Sequence, residues 1–192
     1  MPRSTPSAAT ILDTALDLAE SCGWERLYLH DVATALNCDL AAIARHYRQK
    51  DDLVEAWLDR ADAALFERAR GADLAALAPD KRLEELLMAW LGGIAAHRAL
   101  TGQMLLYKLE LGHVHLQVGA LLRVSRTVQW WREAARRHNL HLARVAEESL
   151  LSAVFLRTFV HWLRHPEVAD ADLRALLRRQ LRGGPLAWLL RA

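Results

Sequence analysis

An all-α fold is predicted, and three features of the sequence carry that prediction. Apolar residues recur at spacings of three and four along nearly the whole chain, the period of one buried helix face. Leu, Ala, Arg and Glu dominate while Val and Ile are few, a composition that favours helices over strands. Gly23, Gly71, Pro166 and the run Gly183-Gly184-Pro185 punctuate the periodic segments. About nine helices result, with no convincing strand and no internal repeat. Hydrophobic residues make up 53% of the chain, ample for a core and too many for general disorder.

Residues 1–6 read as an arm. The first helix runs from Ser7 to Ser21, with Ile11, Leu12, Ala15, Leu16 and Ala19 in one stripe, and Gly23 stops it. Trp24 should plug the base of the small domain. Residues 29–53 then divide into two short helices and the start of a third. His30 to Leu36 carries Val32, Ala33 and Leu36 on one face. Asn37 tolerates a left-handed turn, and Asp39 can cap the next helix. Leu40 to Arg48 places Ile43 and Tyr47 inward and leaves Arg45, His46 and Arg48 on or near the outer face. Two short helices joined by a tight turn make a helix-turn-helix, whose second helix usually enters the DNA major groove.

The helix from Asp51 to about Arg70 is too long for that small domain and is expected to be a strut into the rest of the chain. Pro79 opens the next helix, which buries Leu83, Leu86, Leu87, Trp90, Leu91 and Ile94. Thr101-Gly102 reads as a joint, Gln103 to Leu111 as a short helix, and residues 112–115 as a turn. Long helices follow over Leu116–His138 and Leu140–Arg164, the second ended by His165-Pro166 because the residue before proline leaves the helical region. Ala169–Arg182 follows, then an apolar tail over Leu186–Ala192. The division expected is 1–50 for the helix-turn-helix domain and 51–192 for a helical ligand-binding and dimerisation domain.

Residues 8–57 resemble the N-terminal domain of the TetR/AcrR family of bacterial repressors. The resemblance rests on Ile11, Ala15, Leu16 and Gly23, then Asp31-Val32-Ala33, Ile43, His46, Tyr47, Lys50 and Leu53, at the family's spacing from Gly23 to Lys50 without a gap. It implies a dimeric, all-helical regulator that binds operator DNA and answers to a small ligand. Carried over by position, it implies DNA contacts at Tyr28, Ala41, Ala42, Arg45, His46, Arg48 and Lys50. Several positions depart from the family pattern. Tyr28 stands where Ser or Thr usually caps the second helix, and Ala44 stands where Tyr usually meets a phosphate. The base-reading positions Leu40, Ala41 and Ala42 can neither donate nor accept a hydrogen bond, although they can touch a thymine methyl. Charge runs the same way: residues 1–60 hold six Lys and Arg against ten Asp and Glu, a net of −4, where a phosphate-binding domain should be basic.

Beyond residue 50 lie six of the seven tryptophans. Trp90, Met104, Tyr107, Leu111, Trp130, Phe155 and Phe159 are the candidate lining of an apolar ligand cavity, with Gln103, Glu110, His97 and Tyr107 as its polar handles. In the basic segment 123–137, Trp130 and Trp131 should split, one inward and one at a rim. His113 and His115 form a His-Val-His turn that fixes no metal geometry, so no metal is expected. No nucleophile elbow, phosphate loop or cofactor motif occurs, so neither catalysis nor a cofactor is expected. Cys22 and Cys38 fall at apolar helix positions and are expected as free thiols. No export signal is expected in residues 1–10, and no stretch is long enough to span a membrane; the expectation is a cytoplasmic protein.

A homodimer through residues 141–182 is expected, because Leu150, Leu151, Val154, Phe155, Thr158 and Trp162, together with Leu173, Leu176, Leu177 and Leu181, exceed what one subunit should bury. The tail is too short to be stable alone and must lie against something: the dimer interface, or in a less favoured reading a membrane surface. Two functional readings stand at this point. One is a ligand-controlled operator-binding regulator. The other is a TetR-fold lipid-binding accessory protein of the ubiquinone-biosynthesis type that no longer reads DNA, which the Gly23-Trp24 pair and the segment Asp59-Arg60-Ala61-Asp62 resemble equally well.

Overall fold

A computed structural model describes residues 6–109 and 114–191. Among them are ten α-helices, two short 3-10 turns and no strand. The helices are α1 (Ala8–Cys22), α2 (Leu29–Ala35), α3 (Leu40–Ala44), α4 (Lys50–Ala69), α5 (Pro79–Gly93), α6 (Arg98–Lys108), α7 (Val114–Ala134), α8 (His141–Arg164), α9 (Asp170–Leu181) and α10 (Gly184–Arg191). The tail supplies the tenth.

Caps decide where the head's helices begin and end. Ser7 Oγ accepts from the Thr10 amide at 3.1 Å and opens α1. Gly23, at φ +84°, closes it by returning its N–H to Ala19 O at 2.8 Å. Asn37 takes the left-handed conformation between α2 and α3, and Asp39 Oδ1 accepts from the Ala42 amide at 2.8 Å. Those two residues are why the chain turns here. The second helix of the pair is shorter than predicted, ending at Ala44, with a further turn that carries Tyr47 into the core.

The main pairing of the body is α4 on α5. Their backbones meet at Gly93, where a Cβ would lie 2.7 Å from Ala64 Cβ and 3.2 Å from Ala61 Cα. Only glycine opposite alanine permits that approach. Around this pair α7, α8 and α9 close a single continuous core containing Trp90, Trp131, Leu151, Phe155, Phe159 and Leu177. Trp131 is fully buried, its Nε1 donating to Leu83 O at 2.9 Å, while Trp130 stands at the rim over Phe66, dividing the two as predicted.

Further boundaries differ from expectation: α7 starts at Val114, inside the expected turn, and ends at Ala134 instead of His138. Thr101-Gly102 lies inside α6; the break falls earlier, at the 3-10 turn Ala95–His97. Thr101 keeps helical geometry by donating its hydroxyl to His97 O, and accepts from Trp57 Nε1 at 2.9 Å. Gly183-Gly184-Pro185 turns the chain instead of ending it, because Gly184 adopts φ +56° and α10 restarts there.

The faces of α8 and α9 also differ. Leu151, Val154, Phe155, Thr158 and Trp162 are buried within this one chain, as are Leu173, Leu177 and Leu181. One subunit therefore does absorb them, because α5, α9 and α10 supply more cover than a thin body would. The outward stripe of α8 is instead Leu142, Val145, Ser149, Ala153, Leu156 and Val160, spaced three and four apart. At the helix's end, the Arg98 guanidinium donates to the carbonyls of Trp162, His165 and Pro166 and stacks over the Trp162 ring at 4.5 Å. Burial pulls the Arg98 pKa down.

The tail lies on its own subunit. Leu186, Leu189 and Leu190 are buried against α8 and α9, while Trp188 is 71% exposed. Arg137 and Asn139 donate to Leu189 O at 2.7 and 3.3 Å, capping the tail's carbonyl end. Glu147, fully buried, binds Arg137, Arg132 and Asn139 and so holds that cap in place.

Candidate nucleic-acid interface and ligand cavity

The outer face of the head is built by α2, α3 and the turn after it. Arg45, His46 and Arg48 are exposed there, Arg48 within 3.5 Å of Asp52. Ala41 and Ala44 are exposed beside Leu40, which is 51% exposed. Tyr28 is exposed too and stacks on His30 with ring centroids 5.3 Å apart; it makes no side-chain cap for α2. Two of the expected contact residues are not presented. Ala42 is 4% exposed, because the Asp39 cap fixes the first turn of α3 with Ala42 and Ile43 turned onto the core. Lys50 points into the junction between head and body. Its Nζ donates to Glu25 O at 3.1 Å and lies 5.1 Å from the Trp24 ring centroid and 5.2 Å from that of Tyr107. Burial lowers the Lys50 pKa.

The same junction uses residues expected to face a ligand. Gln103 Oε1 accepts from the Trp24 backbone amide at 2.8 Å. His97 Nδ1 lies 2.7 Å from Glu20 Oε1, with the Trp57 ring edge-on to the imidazole. Tyr107 faces Lys50. These three polar groups join α6 to the head and do not line the cavity. Met104 is fully buried in the core and Trp130 is on the outer rim, so neither lines it either. Leu111, Glu110 and His113 lie outside the described residues.

A cavity of about 290 Å³ does lie between α4, α5, α6, α7 and α8. Of the predicted lining, Trp90, Phe155 and Phe159 are there, packed edge-to-face at centroid distances of 5.0 and 5.1 Å from Trp90. The sequence reading missed Leu58 of α4, Leu105 of α6, Val124 of α7 and the lip formed by Leu109, Leu121, Leu156 and Val160. It also missed two cations in the wall, Lys108 and Arg123, exposed by 1% and 5%.

Both cations turn away from the cavity, onto α4. Lys108 Nζ lies 2.9 Å from the Asp51 carboxylate and 2.7 Å from Glu55. Arg123 donates to Asp62 at 2.8 Å and to Asp59. Arg126 adds contacts to Glu55 and Asp59 at 3.3 and 3.0 Å. Asp62 is completed by Trp90 Nε1 at 2.8 Å and the Thr127 hydroxyl at 3.2 Å. Burial nonetheless pushes the Asp62 carboxyl above the usual carboxylate range, against Arg123 and these hydrogen bonds. One signal in the sequence pointed to this arrangement. Asp51, Glu55, Asp59 and Asp62 recur at four, four and three on α4, one acidic stripe on a helix with no exposed reason for it.

No group of His, Cys, Asp and Glu among the described residues is placed to hold a metal ion. No helix there is long and apolar enough to cross a membrane. Cys22 and Cys38 are free thiols, half-buried.

A capped helix-turn-helix head, joined by one long helix to an all-helical body with an apolar cavity, defines a class: helical regulators with a DNA-recognition fold at one end. No protein-family profile matches the chain, and no curated protein matches it. Among solved structures, a TetR transcriptional regulator from Nitrosomonas europaea ATCC 19718 is 40% identical, with a TM-score of 0.81, over 94% of this chain and 98% of that one. A regulatory protein in the TetR family from Rhodococcus RHA1 is 19% identical, with a TM-score of 0.47, over 96% and 95%. The chain belongs to the TetR family of transcriptional regulators.

Proposed function

We propose that this regulator binds duplex operator DNA as a homodimer and is controlled by a small apolar ligand held between α4 and α8. One observation carries the reading. The helix that starts directly after the recognition segment is the same helix that forms one wall of the cavity, and Lys108 ties its first turn to another wall. A ligand that shifts α6 or α7 therefore bears on the head through Asp51 and Glu55. DNA contact falls to Tyr28, Ala41, Arg45, His46 and Arg48, the presented members of the expected set, with Leu40 offering apolar contact to thymine methyls. The second subunit covers the α8 stripe from Leu142 to Val160, within the expected interface 141–182.

Fluorescence anisotropy with duplex fragments flanking the protein's own gene, at two stated salt concentrations, tests the reading. Salt-sensitive binding to one fragment supports it. Absence of binding to any fragment removes it.

A second reading, a lipid-binding protein of the same fold that ignores DNA, draws on the apolar Leu40-Ala41 face and the net −4 of residues 1–60. The buried tail weighs against its membrane arm, since Leu186, Leu189 and Leu190 are already spent on the body.

A further inference from the structure

We propose that the cavity selects an uncharged, mainly hydrocarbon molecule of about ten non-hydrogen atoms, and rejects anions and cations alike. The proposal rests on the ligand-controlled reading and names the chemistry of its ligand.

Size follows from volume. A space of 290 Å³ corresponds to roughly ten water-sized volumes at ~30 Å³ each. Chemistry follows from where the wall's polar groups are directed. Apart from Gln117, the polar lining residues are Lys108, Arg123, Thr127 and the indole of Trp90. Lys108 donates to Asp51 and Glu55; the other three donate to Asp62. What faces the cavity is aromatic rings, leucines, valines and the methylene stems of the two cations.

A charged ligand is disfavoured in both signs. Around the wall stand four carboxylates, Asp51, Glu55, Asp59 and Asp62, and three cations, Lys108, Arg123 and Arg126. An anion would enter a cluster that is already formally negative, with every cation engaged. A cation would have to displace Lys108 or Arg123 from its carboxylates and leave that side chain buried and unpaired. Burial already holds the Asp62 carboxyl above its ordinary range, so the cluster is short of solvation for the charges it has. Arg123 Nε has no hydrogen-bond partner, but it is sealed off from anything the size of a water molecule and so offers nothing to a ligand in the cavity. A polar group carried into the cavity therefore finds no buried donor or acceptor to pair with.

The test uses the full chain and probes that differ only in head group or length: 1-decanol, decanoate and decylammonium, with 1-hexanol and 1-octanol. Calorimetric titration should show 1-decanol binding at least about tenfold tighter than either ion. Along the alcohols, affinity should rise by about fourfold per methylene. Ala120→Phe, which fills the cavity from α7, should abolish decanol binding, and its thermal melt serves as the folding control. If that variant does not fold, loss of decanol binding on pre-incubation with 1-octanol identifies the shared site instead. Equal or tighter binding of decanoate or decylammonium overturns the proposal, as does absence of decanol binding to the folded chain. A parallel DNA titration separates the two claims. Decanol binding with unchanged DNA affinity leaves the cavity chemistry standing and removes ligand control. Release of DNA by decanoate but not decanol does the reverse.

Discussion

The ammonium of Lys108 lies 2.9 Å from the carboxylate of Asp51, joining the wall of an apolar cavity to the first turn of the helix that follows the recognition segment. With Glu55 at 2.7 Å it forms a clamp in which the lysine is 1% exposed. Breaking a buried pair by removing one partner strands the other charge, and that cost exceeds the net worth of the pair. Asp51 and Glu55 keep some access to water, which moderates the penalty.

Lys108→Met is therefore expected to cost about 1–3 kcal/mol, below the full value for a wholly buried pair. In a protein of this size that lowers the melting temperature by about 2–4 °C per kcal/mol. If the clamp also transmits, DNA affinity of the variant will no longer respond to a ligand that still binds. Scanning calorimetry gives the first number and anisotropy the second. A variant with wild-type stability and wild-type response shows the clamp to be idle.

Arg45 and Lys50 should separate cleanly. Arg45→Ala is expected to cost about 1–3 kcal/mol at the operator and to relax base preference there, because no neighbouring outer residue of α3 can hydrogen-bond to a base edge. Lys50→Ala should mainly lower thermal stability, since its ammonium is spent on Glu25 O, Trp24 and Tyr107. A fall of about one in the salt slope on Lys50→Ala would show that the lysine swings out to a phosphate.

The dimer is expected to depend on the outward stripe of α8. Leu142→Glu with Val145→Glu alters two exposed positions, so the subunit should fold and melt separately from any effect on assembly. Sedimentation at micromolar concentration should give a dimer for the parent and a monomer for the double variant. A dimer that survives both charges would place the interface elsewhere.

Asp62 predicts a pH dependence. Its folded pKa is raised above the unfolded value, so the folded chain takes up this proton first as pH falls. The burial cost of the ionised form is present at neutral pH and is relieved as pH drops through the raised pKa toward ~3.9. Asp62→Asn cannot be relieved this way. The parent should gain stability relative to the variant from pH 7 to about pH 4, read as denaturation midpoints at each pH. A parent that loses stability relative to the variant over that range would mean that Arg123 outweighs burial.

Removing residues 184–192 should lower thermal stability without creating or abolishing liposome binding. The deletion uncovers the surface under Leu186, Leu189 and Leu190 and takes from Arg137 and Asn139 the carbonyls they cap. Loss of liposome binding with unchanged stability would restore the membrane reading.

Elements under the control of local chemistry were legible in the amino-acid order. Ser7, Gly23, Asn37, Asp39 and Pro166 act on backbone groups within a few residues, so the helix-turn-helix and most helix ends were legible without a third dimension. Ile43 and Tyr47 were placed inward for the same reason: a helical period fixes which residues share a face. That period does not say what the face meets. Long-range packing sets the rest: Leu151, Phe155 and Trp162 are covered by their own subunit, Lys50 turns into the junction, and Gln103 and His97 serve the head instead of the cavity. Lys108 and Arg123 were invisible for a physical reason. A long cationic side chain reads as surface until a distant carboxylate gives it a buried partner, and the acids that do so stand 57 and 61 residues away.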